Sequence, residues 1–165
     1  MTHDDKQFVR VTVSGMARDA RENPVVLLKS DEGEEVLPIW IGHSEGMAIE
    51  LTIKGEKFER PLTHDLLRVT IESLGAVVSK VAITELRSNT FFAKIYLQRG
   101  HDVIVMDARP SDSVALALKA EAPIFVARDV FLAHKRSLDS EAPPAGADAD
   151  DELRRYLKDL DPGEF

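Results

Sequence analysis

Residues 76–108 read AVVSKVAITELRSNTFFAKIYLQRGHDVIVMDA, three apolar, β-branched runs separated by Ser88-Asn89 and by Arg99-Gly100-His101. Runs rich in Val, Ile, Thr and aromatic residues, punctuated by turn formers, read as strands. Three of them joined by such short turns form an antiparallel meander, because parallel neighbours need a crossover of a dozen or more residues. The segment therefore favours an α+β domain on a mixed, mainly antiparallel sheet over a doubly wound parallel one.

Towards the N-terminus the pattern continues. FVRVTVS at 8–14 places Val9, Val11 and Val13 on one face of a half-buried strand. VVLLKS and EVLPIWI flank the turn Asp31-Glu32-Gly33 and read as a hairpin. Pro38 donates no ladder hydrogen bond and so marks an edge or a bulge in the second strand. Ser44 then stands as N-cap before EGMAIELTIK, with Glu45 in the first turn and Gly55 as the stop. In RPLTHDLLRVTIESLG, Thr63 reads as the N-cap, Leu62 and Leu67 as a hydrophobic staple, Leu66 as the replacement for the acid of a capping box, and Gly75 as the C-terminal stop.

Towards the C-terminus, DVIVM gives way to DARPSDSVALAL, a polar cluster on a strand-to-helix junction. A helix is expected from Ser111 to Glu121, then PIFVA as a short buried strand and a helix from Val130 to Lys135, for three to four helices packed on the sheet. Three segments follow: a domain over 1–136, an acidic Pro/Ala-rich linker over 137–150, and a short helix and tail over 151–165. Leu153, Leu157 and Leu160 share one side of that last helix.

The 165 residues are 44% hydrophobic and 30% charged, the profile of a globular domain with a sizeable core. The chain contains no cysteine, which excludes disulfides, thiolate metal sites and a cysteine nucleophile. No stretch reaches the length of a membrane span, and MTHDDKQF has neither a basic start nor an apolar run, so a cytoplasmic location is expected. The net charge is −8, of which residues 137–165 carry −6, nine acids against three bases, leaving −2 for residues 1–136. Without a basic run, nucleic-acid contact would rest on a few arginines brought together by the fold. No phosphate-binding loop, dinucleotide glycine pattern or serine elbow is present.

LPIWIGHSEGMAIEL, RPLTHDLL, LGAVVSKVAITELRSNTFFAKIYL and DARPSDSVALALKAEAPIFV, in this order between Phe8 and Lys135, resemble the bifunctional nuclease domain family. The resemblance implies an α+β domain, a homodimer or higher homo-oligomer, and hydrolysis of phosphodiester bonds in DNA and RNA. That chemistry needs an activated nucleophile and neutralised phosphoryl charge, and two sets of residues offer it. In a metal-dependent version Asp65, Asp107 and Asp112, with Glu45, supply the hard oxygen ligands that Mg²⁺ or Mn²⁺ prefers. In a metal-free version His64 is the general base and Arg60 and Arg109 clamp the phosphate.

The helix starts at Ser44, Thr63 and Ser111 are expected to converge, placing Glu45, Arg60, His64, Asp65, Asp107, Arg109 and Asp112 around one cleft, with Thr63 and Ser111 on the substrate. Free N–H groups there suit an anion. Each residue also has a structural reading. Ser111 or Asp112 caps a helix, Asp107 satisfies backbone donors or pairs with Arg109, and Asp65 and Glu45 answer a helix dipole. Trp40, Phe91, Phe92 and Tyr96 read as ordinary core and strand residues rather than base-stacking platforms. The competing function is a non-catalytic dimeric module that binds an anionic ligand or a protein partner in a regulatory role.

Overall fold

Two three-stranded antiparallel meanders build the sheet. β1 (Phe8–Arg18), β2 (Pro24–Ser30) and β3 (Glu35–Trp40) form the first; β4 (Val77–Arg87), β5 (Thr90–Arg99) and β6 (Asp102–Ala108) form the second. Between them lies β7 (Ile124–Ala127), antiparallel to β1 and parallel to β4, while β8 (Arg136–Ser137) adds two residues outside β3. The strand order is β6-β5-β4-β7-β1-β2-β3-β8. Among the described residues every pairing but β4 with β7 is antiparallel, which is the expected α+β class. The computed structural model describes residues 7–137. Apart from Ser137, the expected acidic linker and terminal helix lie outside them.

Local chemistry explains the turns. Ser88 and Asn89 have φ of 50° and 58°, so both central residues of the β4–β5 hairpin are left-handed, the type I′ geometry that matches strand twist. β1 runs on past Ser14 because the register shifts between Val13 and Gly15. A bulge there breaks the alternation that makes Val9, Val11 and Val13 legible. Pro38 sits beyond the two residues of β3 that pair with β8, where no other strand among the described residues asks for its missing donor.

The four helices are α1 (His43–Ile53), α2 (Thr63–Ser73), α3 (Pro110–Ala120) and α4 (Arg128–His134). Their starts differ from the expected caps. Gly42, Leu62 and Arg109 hold the N-cap positions, each one or two residues before the Ser or Thr that composition favours. Asp65, not Leu66, occupies the third helical position of α2, where its Oδ2 accepts from the backbone N–H of Leu62 at 3.1 Å. In α3, Pro110 takes the first position, where its missing N–H costs nothing.

Strand registers separate two faces. Val9, Val11, Val26, Leu28, Val81, Ile83, Ile95 and Val126 share one core with Ile49, Ile71, Val114 and Leu116 from the helices. Residues alternating with them point away. Val25, Leu27 and Ala17 form a smaller buried cluster with Trp40, so Trp40 belongs to the opposite face rather than to the main core. Gly46 is where α1 meets β2. A Cβ on it would lie 2.8 Å from Cβ of Pro24, so only glycine allows this approach.

Strand twist of roughly 20–25° per neighbour accumulates. β3 and β6 stand six places apart in the sheet, yet Arg109, just past β6, reaches Glu45, just past β3, at 2.7 Å. The sheet curls far enough for its distant strand ends to meet.

Candidate functional site

Each of the three helix starts carries an acid at its third position: Glu45 in α1, Asp65 in α2 and Asp112 in α3. That position faces the free N–H groups and positive end of the helix, so a carboxylate is stabilised there. Each acid also ties its helix to another. Glu45 Oε1 accepts from Arg109 Nη1 at 2.7 Å, Arg109 Nε donates to Asp112 Oδ2 at 2.8 Å, and His64 Nε2 lies 3.1 Å from Asp112 Oδ1. A continuous chain Glu45–Arg109–Asp112–His64 thus joins α1, α3 and α2. Asp65 turns to Lys119 of α3, with Oδ1 2.8 Å from Nζ.

Electrostatics follow from these contacts. The N–H of Glu45 itself and then Arg109 hold the Glu45 carboxyl below its ordinary value. Burial pushes Asp112 up, but hydrogen bonds from Arg109 and His64 outweigh it and leave the group lowered. Lys119 lowers Asp65, helped by the Leu62 N–H and opposed by burial. The bond to Asp112, with that to Glu45, raises Arg109. An ionised carboxylate only accepts, so in the neutral ring of His64 the proton sits on Nε2 and Nδ1 is the basic nitrogen. The side chain of His64 is 13% exposed and that of Arg109 63%: the imidazole is sheltered and the guanidinium meets solvent. Among the described residues Nη2 of Arg109 takes no partner.

Of the residues singled out by sequence, four meet in this chain: Glu45, His64, Arg109 and Asp112. Asp65 borders it, committed to Lys119. Ser111 is buried at the start of α3. Thr63 and Arg60 are exposed near the start of α2. Asp107 is not among them, because it pairs in register with the exposed Lys94, while Met106 is opposite the buried Ile95 on the helix-bearing face. Its side chain therefore emerges on the far face of the sheet. Among the described residues no group of three or more His, Asp or Glu is arranged to hold a metal ion. The carboxylates of Asp65 and Asp112 are engaged by Lys119 and by Arg109 with His64, so the donor set does not fit Mg²⁺ or Mn²⁺, and no step is drawn through one. Lys119 escaped sequence reading, although one lysine in the apolar run VALALKA asks for an acid partner.

The residues that meet here come from the motifs quoted above, and comparison with known proteins shows the family those motifs resemble. The bifunctional nuclease domain matches residues 26–139, and the chain belongs to that family. An uncharacterized protein of Mycobacterium tuberculosis is 40% identical over 155 residues, covering 92% of each chain. Bifunctional nuclease 1 of Oryza sativa subsp. japonica is 25% identical over 117 residues, 68% of this chain and 35% of that protein. Bifunctional nuclease 1 of Arabidopsis thaliana is 24% identical over 116 residues, 68% of this chain and 36% of its own. No helix among the described residues is long and apolar enough to cross a membrane.

Proposed function

We propose that this domain is a nuclease that hydrolyses phosphodiester bonds of DNA and RNA, using His64 and Arg109 without a metal held by Asp65, Asp107 and Asp112. The observation that carries this reading is the double use of Asp112: one oxygen bonds His64 Nε2 and the other Arg109 Nε. One carboxylate thereby fixes a base and a phosphate-binding cation in the same frame. His64 Nδ1 takes a proton from the attacking water as its oxygen bonds phosphorus, Asp112 stabilises the imidazolium that results, and the phosphorus bond to the leaving sugar oxygen breaks as that oxygen takes up the proton. Arg109 offers Nη2 to a phosphoryl oxygen, where charge grows in the transition state. The names of the plant relatives support the same activity.

A second reading has its own observation. Arg109 is already neutralised by Glu45 and Asp112, as suits a lock that joins three helix starts in a non-catalytic module. Cleavage of labelled RNA and of plasmid DNA, in EDTA and in added Mg²⁺ or Mn²⁺, separates the two. Cleavage that persists in EDTA and is lost in His64→Ala supports the metal-free nuclease. Absence of cleavage under every condition supports the lock, and cleavage only with added metal contradicts the metal-free assignment.

A further inference from the structure

The face of the sheet turned away from the helices presents aromatic rings interleaved with cations. In register, Tyr96 of β5 lies opposite Lys80 of β4, Lys94 opposite Ala82, and Phe125 of β7 beside both Ala82 and Arg10 of β1. Phe92 alternates with the core residue Ala93 and shares this face, whereas Phe91 packs into the main core. Lys80 Nζ sits 4.8 Å from the ring centroid of Tyr96 and 5.7 Å from that of Phe125. The Arg87 guanidinium lies 4.6 Å from the Phe92 centroid. The three rings are half-buried, and Lys94 and Arg10 are exposed.

We propose that this face is a binding platform for single-stranded nucleic acid, distinct from the His64 site. Successive bases stack on Tyr96 and Phe125, which stand two strands, about 10 Å, apart, while Lys80 and Lys94 neutralise the backbone and Arg10, paired with Asp31 at 3.4 Å, borders the groove. Aromatic faces accept any base, and cations along the same groove track phosphates, the combination by which strands are held without sequence preference. Two features favour this ligand over a protein partner. The cations gather on one face of a chain whose net charge is −8, and Lys80 and Lys94 make no ion pair among the described residues, so their charge is available. A base arriving on Tyr96 displaces the Lys80 ammonium from the ring towards a phosphate. Three acids lie against these cations. Asp107 stands across from Lys94, Glu85 is already paired with Arg87 at 3.1 Å and Asp31 with Arg10 at 3.4 Å, so Lys80 and Lys94 against Asp107 carry the remaining positive charge. The choice of ligand rests on the nuclease reading; the site does not depend on His64.

The test is fluorescence anisotropy of labelled oligothymidine and oligouridine with the full chain carrying His64→Ala, so that cleavage is set aside. Single strands bind more tightly than a duplex of equal length. Tyr96→Leu weakens binding about fivefold or more. Lys80→Ala with Lys94→Ala makes the slope of log affinity against log salt shallower by about 1.4, two phosphates' worth for a single strand. Melting temperatures of the variants confirm folding. Unchanged affinity in folded variants, a preference for duplex, or no binding at about 50 mM salt overturns the platform. So does a shift from dimer to monomer in Tyr96→Leu without oligonucleotide binding, which makes the face a contact between copies. Binding without cleavage by the native chain refutes the nuclease and keeps the platform; cleavage without binding does the reverse.

Discussion

Asp112 Oδ1 lies 3.1 Å from His64 Nε2, joining the third residue of α3 to the second of α2 across 48 positions of sequence. The contact fixes which ring nitrogen is basic, and it locks two helix starts whose adjacency nothing local requires. On the proposed mechanism chemistry and architecture share this bond, so the consequences of breaking it and its neighbours can be told apart by measuring folding and activity separately.

Asp65 is expected to matter for stability more than for chemistry. Asp65→Ala removes the acceptor of the Leu62 N–H and strands the ammonium of Lys119, which is 17% exposed. Losing such a helix-start acceptor and a partly buried partner costs about 1–3 kcal/mol, to be read from urea denaturation of native and variant.

The acids at the helix starts also set the response to acid. Asp65, Asp112 and Glu45 are all lowered in the fold, from ordinary values of 3.8, 3.8 and 4.5. A lowered carboxyl stabilises the fold above its ordinary value and loses that contribution as pH falls through the folded value. These three groups therefore add a decline in stability below about pH 4.5, shallower in Asp65→Asn. Thermal melts from pH 7 to pH 2 check the slope.

Gly46→Ala tests the approach of α1 to β2. Helix propensity alone favours alanine by about 1 kcal/mol. The new Cβ, 2.8 Å from Cβ of Pro24, meets a rigid ring, and overpacking costs about 1–3 kcal/mol. The expected net result is a loss of about 1 kcal/mol, read by denaturation. A more stable variant would show that α1 shifts freely.

Glu121→Gly has the opposite sign. Glu121 ends α3 at φ 52°, and the N–H of Ala122 closes back on the carbonyl of Ala117 at 2.9 Å. Glycine adopts this left-handed stop without the Cβ penalty, so the variant gains about 1 kcal/mol. Calorimetry shows it as a higher melting temperature.

Strands were the most legible part of the sequence. Alternation in Val9, Val11 and Val13, and turn residues at Ser88-Asn89, are local signals, and the structure follows them until a bulge at Ser14 breaks the period. Helix starts were less legible. Gly42, Leu62 and Arg109 supply no capping side chain, and the acids three positions in carry the electrostatic work instead. The meeting of Glu45, His64, Arg109 and Asp112 follows from the curl of the sheet, which no local motif encodes. Asp107 shows the reverse: five residues from Asp112 in sequence, it is turned to the other face by the two-residue period of β6. Phe91 and Phe92 are split between core and outer face by that same period in β5, and which of them emerges depends on strand pairing.

On the proposed mechanism Asp112 keeps His64 in the working tautomer. The most direct measurement is the single-turnover cleavage rate of Asp112→Asn beside the native chain, at equal melting temperature and in EDTA. The expected rate is lower by about 10²–10⁴-fold with the fold retained. A folded Asp112→Asn that cleaves at the native rate would contradict it.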